Sequence, residues 1–196
     1  TRGPVVGCAV TKGFGAQAVQ IAHRLGCEAI GENYAQEAIA KIAAVAPAHP
    51  PVHFLGRLQS NKIRSLAGVV AVWQSVDRVS LVDELVKRAP GARIYVQVNA
   101  TDEPDKGGCA LHAAAGLVHQ ARVGGLVVEG LMTVGPTDGH PERTQAAFHA
   151  VRQVADDLEL VGCSMGMSGD IELALAAGST MVRVGTALFG ERPLPK

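Results

Sequence analysis

The chain has 196 residues and carries 18 basic and 18 acidic side chains, a formal net charge of zero. That balance builds no broad field for nucleic acid or an anionic membrane surface, and the apolar runs are strand-sized, too short to cross a bilayer. A length of this order suits one domain that buries roughly 70% of its unfolded surface, so the core needs no disulfide or metal staple.

From the N-terminus onward, apolar runs of strand length recur at residues 5–10, 27–30, 52–55, 69–73, 93–98, 126–134, 160–164 and 180–184. Most are continuous rather than alternating in polarity, as in parallel strands covered on both faces. The first run ends just before Lys12 and turns at Gly13-Phe14-Gly15 into a helix. Further helical patterns fill the other gaps. Ala35, Ala38, Ile39, Ile42, Val45 and Ala46 keep a 3.6 period, as do Leu81, Val82, Leu85 and Val86. Ala147, Phe148, Val151, Val154, Ala155 and Leu158 do so after Pro141, a residue suited to a first helical turn. Residues 61–66 and 111–120 predict two weaker helices, and 171–177 predicts another behind Ser168.

Eight β-α units predict an α/β fold, a single (β/α)8 TIM-type barrel over residues 1–196. It is lean for a class whose usual lower limit is roughly 200 residues. An open doubly wound sheet is the alternative. No G-x-G-x-x-G follows the first strand, which counts against a dinucleotide site.

In a barrel the C-terminal strand ends form the active face. The sequence puts Lys12, Glu32-Asn33-Tyr34, His53, Arg57, Ser75, Asp77, Asn99, Lys106 and Thr133 there. Ser164, Ser168, Arg183 and Gly185-Thr186 follow at the last two strands. Plain structural readings compete: Asn33 or Ser168 as helix N-caps, and His53 as a core histidine between Val52 and Phe54. Arg183 stands between Val182 and Val184 in a buried run, so its guanidinium needs partners. A lysine able to form a Schiff base, with small hydroxyl-bearing loops where barrels bind phosphate, suggests pyridoxal phosphate.

Other chemistries lack their signatures. The histidines outside this set, His23, His49, His112, His119, His140 and His149, show no metal-binding spacing. There is no G-x-S-x-G elbow. Arg57, Lys62 and Arg64 are too few for a nucleic-acid surface and lack aromatic stacking partners. Cys8, Cys27, Cys109 and Cys163 form no C-x-x-C pair, and a reducing, cytoplasmic setting fits them.

The segments resemble the pyridoxal-phosphate homeostasis protein family, whose fold is that of the N-terminal barrel of alanine racemase. The matching stretches are Ala9-Val10-Thr11-Lys12, Gly31-Glu32-Asn33-Tyr34, His53-Phe54-Leu55-Gly56, Leu58-Gln59-Ser60-Asn61-Lys62 and Gly130-Leu131-Met132-Thr133. Ser164-Met165-Gly166-Met167-Ser168 with Asp170, and Gly178 to Thr186 followed by Phe189-Gly190, complete them. The resemblance implies that Lys12 forms an internal aldimine and that Arg183 faces the pyridine nitrogen. It implies Ser164, Ser168, Gly185 and Thr186 as the phosphate cradle. Met165, in the same loop, joins the cofactor-binding set, and Asn33 and His53 line the pocket. A permanently charged arginine at the ring nitrogen disfavours its protonation and weakens carbanion chemistry. The implied role is therefore a non-catalytic, monomeric carrier of pyridoxal 5'-phosphate that supplies apo-enzymes. The alternative is a PLP-dependent amino-acid racemase, which needs a second acid/base opposite the lysine. The sequence runs to Lys196, right after the barrel, so the β domain that supplies that group in alanine racemase is expected to be missing, and the chain's tyrosines are Tyr34 and Tyr95. A barrel serving only as an interaction scaffold is a third reading, disfavoured by Lys12 and Arg183 together. The family's helix before the first strand is also expected to be missing here.

Overall fold

The computed structural model describes residues 3–191, and a parallel barrel organises them. Its inner staves are β1 (Val6–Val10), β2 (Ala29–Glu32), β3 (Val52–Phe54), β4 (Val72–Val76) and β5 (Arg93–Asn99). A two-residue strand, β6 (Cys109–Ala110), follows, then β7 (Val127–Met132), β8 (Gly162–Ser164) and β9 (Met181–Val184). Hydrogen-bonded neighbours run β1-β2-β3-β4-β5-β7-β8-β9, and β9 pairs back onto β1. This closes eight parallel strands, with β6 pairing only onto β5 outside the ring. The (β/α)8 barrel is therefore the fold. Residues 1–2 and 192–196 of the single domain expected from the sequence lie outside the described residues.

The outer layer comprises α1 (Ala16–Arg24), α2 (Ala35–Val45), α3 (Ser60–Leu66), α4 (Val79–Arg88), α5 (Ala114–Val123), α6 (Pro141–Asp157) and α7 (Ile171–Ala176). A short α8 (Thr186–Phe189) follows the last strand. Their apolar stripes pack on the strands. Trp73, Ile94 and Leu131 meet Leu81, Leu85 and Phe148 in the largest cluster. Each such side chain contributes roughly 1.5–3 kcal/mol by leaving water. Inside the barrel Cys8, Ala29, Val72, Tyr95, Met132 and Met181 form a separate apolar layer. Because successive strand residues face opposite sides, the layer above it holds the next inward residues, among them His53, Gln74 and Arg183.

Two strands lie later than the apolar runs suggest. The second occupies Ala29–Glu32 rather than 27–30, and the fourth Val72–Val76 rather than 69–73. In each case polar residues complete the strand, since Glu32, Gln74 and Ser75 are all buried. Residues 69–70 instead turn back onto α3, with the Val69 and Val70 N–H groups donating to the Leu66 carbonyl. The helix expected at 111–120 begins as a 3-10 turn over Leu111–Ala113 and continues to Val123. Strand β6 and helix α8 have no counterpart in the sequence reading.

Candidate functional site

A cavity of about 390 Å3 opens at the C-terminal ends of the strands. Lys12 and Phe14 line it after β1, Asn33 after β2 and Leu55 after β3. Met132 and Val134 line it at β7, with Ser168 and Gly169 after β8. Arg183 on β9 and Gly185-Thr186 beyond it complete the wall. Phe14 stacks obliquely on Phe189 of α8, ring centroids 5.4 Å apart, joining the loops after the first and last strands.

Lys12 sits in a turn whose backbone is held from behind by charged side chains. Lys41 of α2 is only 6% exposed and donates to the Thr11 carbonyl at 2.6 Å. It also donates to Glu32 Oε1 at 2.8 Å and to Glu37 Oε1 at 2.6 Å. Thr11 Oγ1 donates to the same Glu32 oxygen at 2.6 Å, and Gly13 N–H donates to Glu37 Oε1 at 2.6 Å. Burial raises the Glu32 pKa, against the opposing pull of Lys41 and Thr11.

Arg183 is 5% exposed. Its Nη1 donates to the Ser164 carbonyl at 2.6 Å and to Ser164 Oγ at 2.7 Å, and its Nη2 to the Thr133 carbonyl at 2.7 Å. These acceptors are neutral, so burial lowers its pKa to about 10 and it stays charged near neutrality. Cys8, opposite Arg183 on β1, is pushed up to about 12 by burial and remains a neutral thiol.

A hydrogen-bond chain continues from this arginine across the barrel. Ser164 Oγ donates to Gln74 Oε1 at 2.6 Å, and Gln74 Nε2 donates to His53 Nδ1 at 2.6 Å. A nitrogen that accepts from an amide carries no proton, which makes His53 neutral. Burial, then the Arg93 charge, lowers its pKa to about 4, in the same sense.

The rim added beside Lys12 by the loops after β8 and β9 is made largely of small residues. Gly166 has φ +100°, and a Cβ there would stand 2.6 Å from Ala174 Cβ, so a glycine lets β8 turn outward into Met167-Ser168-Gly169. Ser168 Oγ accepts the Ala187 N–H at 3.3 Å, tying this loop to α8. Ser168, Gly169 and Thr186 are solvent-exposed. On the other side a Cβ at Gly56 would stand 1.9 Å from the Asn33 carbonyl oxygen. That close approach of the β2 and β3 loops seats Asn33, whose buried Oδ1 has no hydrogen-bond partner.

Of the residues expected at the site, Lys12, Asn33, Ser168, Arg183, Gly185 and Thr186 share this cavity. His53, Ser164 and Met165 do not line it. Met165 is wholly buried in the outer apolar cluster, and Ser164 and His53 belong to the chain behind Arg183. The competing N-cap roles are not used. The N-caps of α2 and α7 are Tyr34 and Asp170, not Asn33 and Ser168. Ser75, Asp77, Asn99, Lys106 and Thr133 do not line the cavity either. Thr133 Oγ1 donates to the Val98 carbonyl, Asp77 accepts the Gly108 N–H, and Lys106 pairs with Glu103. Tyr34, 57% exposed, lines a separate pocket of about 270 Å3 beside Arg57 and Lys62. Tyr95 lies in the buried interior layer, its pKa pushed up to about 12 by burial. Among the described residues no cluster of histidine, cysteine and carboxylate side chains could hold a metal ion.

Residues 3–193 match the family described as alanine racemase, N-terminal domain. The chain is 40% identical over 193 residues to the pyridoxal phosphate homeostasis protein of Pseudomonas aeruginosa, covering 94% of this chain and 83% of that one. It belongs to the pyridoxal phosphate homeostasis protein family. The homeostasis protein of Aquifex aeolicus is 38% identical, with 87% and 79% of the two chains covered. PipY of Synechococcus elongatus, solved with PLP bound, superposes with a TM-score of 0.86 at 34% identity, over 95% of this chain and 92% of that one. Alanine racemase of Clostridium difficile shares the fold, with a TM-score of 0.83 at 14% identity over 96% of this chain and 56% of that one.

Proposed function

We propose that the cavity binds pyridoxal 5'-phosphate and that the protein holds and releases it as a carrier without transforming a substrate. One observation carries this reading. Lys12, Arg183 and the Ser168–Thr186 rim face one cavity, so an amine, a fixed cation and an anion-binding edge converge on a single small molecule. The relatives named for pyridoxal phosphate homeostasis and the PLP-bound neighbour support it.

The residues fit the ligand. About 390 Å3 lies within the roughly 300–1,000 Å3 of small-molecule sites. The wall mixes apolar side chains, Val10, Leu55, Met132 and Val134, with few polar groups, as a flat ring requires. The unpartnered Asn33 Oδ1 offers an acceptor for a ligand hydroxyl. Ser168 and Thr186 offer hydroxyls to the phosphate, and glycines beside them let it approach the backbone. Lys12 would hold the ligand through its aldehyde, a condensation that loses water and that hydrolysis would reverse. Bound in this way, the aldehyde is kept from unrelated amines. Arg183 keeps its proton, which opposes a proton on a ring nitrogen set against it.

The racemase alternative needs a second acid/base across from Lys12. Among the described residues Lys12 and Arg183 are the ionisable side chains that line the cavity, and neither Tyr34 nor Tyr95 reaches it. The carrier reading extends to apo-enzymes as recipients, a monomeric state and a cytoplasmic setting. The four free thiols fit the last, and no helix among the described residues is long and apolar enough to cross a membrane.

The test is a titration with pyridoxal phosphate, following the visible imine band, with Lys12→Ala alongside and single-enantiomer amino acids added afterwards. The expected result is a band that Lys12→Ala abolishes and no racemisation. Turnover of an enantiomer overturns the carrier. A band that survives Lys12→Ala moves the bond to another lysine.

A further inference from the structure

We propose that Glu37 and Lys41 of α2 are positioning residues for Lys12, gripping the two peptide units that carry its side chain. The inference rests on Lys12 being the residue that holds the cofactor, and it assigns a task to a buried ionic cluster that lies outside the cavity.

The peptide unit before Lys12 presents the Thr11 carbonyl, which accepts from Lys41 at 2.6 Å and from the Phe14 N–H at 3.1 Å. The peptide unit after it presents the Gly13 N–H, which donates to Glu37 at 2.6 Å. Both grips come from one helix, one turn apart, and Lys41 and Glu37 are themselves paired at 2.6 Å. The Lys41 ammonium has three hydrogens, and its partners are Thr11 O, Glu32 Oε1 and Glu37 Oε1. Each is an oxygen that fixes the turn directly or through another member. Glu32, wholly buried at the end of β2, also anchors the Thr11 hydroxyl.

Such a cluster is a poor choice for stability alone. Charges withdrawn from water cost several kcal/mol each, and well-packed apolar side chains usually serve a core equally well. What the ions supply here is directionality. A carbonyl and an N–H flanking one residue are held at opposite polarity, so the turn can neither roll nor slide relative to α2. The Cα–Cβ direction of Lys12 follows, and a side chain with four torsions starts from a fixed root. Bond formation between Nζ and the aldehyde carbon depends on that root, because a misplaced amine must find the ligand by rotamer search. Binding of the ring and phosphate does not depend on it.

That difference separates positioning from simple support. The principal variant is Glu37→Ala, because Glu37 is partly exposed and the Gly13 N–H lies at the surface, where water can replace it. Three quantities are measured on the full chain: melting temperature without ligand, affinity for pyridoxine 5'-phosphate, which lacks the aldehyde, and the concentration of pyridoxal phosphate that half-develops the imine band. The expected result is a melting temperature within about 3 °C of the parent, unchanged pyridoxine 5'-phosphate affinity and a band that needs about tenfold more pyridoxal phosphate. Glu37→Gln, which keeps an acceptor for Gly13, should recover most of the loss. An unchanged band in Glu37→Ala overturns the inference alone. So does an equal loss for both ligands, which reduces the cluster to a support. A parent protein with no Lys12-dependent band overturns the cofactor reading, and this inference with it.

Discussion

The two ends of the cavity are built in opposite ways. Behind Lys12 stand Glu32, Glu37 and Lys41, none more than 24% exposed, each bonded to the others or to the turn. Around Ser168, Gly169 and Thr186 the wall is thin, exposed and made of small residues. The lysine end is over-determined, and the edge proposed for the phosphate is little more than backbone with two hydroxyls. A site meant to retain its ligand has reason to bury both. The proposed carrier, which must give it up, gains from an open edge through which the ligand can leave while the lysine stays in place.

The sharpest way to break this contrast is Lys41→Met. It leaves Glu32 buried without its cation, and loss of one partner of a buried pair costs about 3–5 kcal/mol. Urea unfolding at pH 7 measures it. Adding Glu32→Gln should restore part of the loss, and a single variant as stable as the parent would remove the ionic cluster from the account.

The next effect comes from the chain behind Arg183. The folded protein holds His53 neutral down to about pH 4, whereas the unfolded chain protonates it near its ordinary value of 6.5. Between these values the unfolded state binds the extra proton. Stability from this group is therefore full above pH 6.5 and is lost as pH falls toward 4, by up to about 3 kcal/mol. Urea midpoints from pH 7 to pH 4.5 should trace that decline, and in His53→Leu the slope should flatten. A slope identical in parent and variant would place the acid sensitivity elsewhere.

The smallest effect on folding belongs to the open rim. Thr186→Val lies at the surface and should shift stability by no more than about 0.5 kcal/mol. It should nonetheless weaken pyridoxal phosphate about tenfold, the worth of one hydrogen bond to a charged group, while leaving dephosphorylated pyridoxal unchanged. Equal losses for both ligands, read from the imine band, would take Thr186 out of the phosphate site.

The barrel was legible in the sequence because parallel strands covered on both faces write themselves as continuous apolar runs. The same logic hid the ends of β2 and β4. Glu32 and Gln74 look like loop residues until Lys41 and Thr11 are seen to bond Glu32 Oε1 and His53 and Ser164 to bond Gln74, and those partners lie up to 90 positions away. Lys12, Asn33, Arg183 and the Gly185-Thr186 turn stand at strand ends, where barrels carry their ligands, and the family resemblance separated them from strand-end residues such as Ser75, Asp77 and Asn99 that line no cavity. His53, Ser164 and Met165 stand at strand ends too, but face inward or outward rather than upward, a distinction of one residue in register. Lys41 left a trace that went unused. It shares the phase of Ala38, Ile42 and Val45 on the buried face of α2, where an unpaired lysine would not survive.

The barrel closes by joining its first strand to its last, with Cys8 beside Arg183 in the β1–β9 pairing. The lysine and the arginine of the cavity thus come from neighbouring staves yet are about 170 residues apart along the chain. At translation rates of roughly 5–20 residues per second, the growing polypeptide displays its lysine for about ten to thirty seconds before the arginine exists. The pocket therefore cannot assemble until β9 has been synthesised, and an occupied cavity certifies that the chain has been made at least through Thr186.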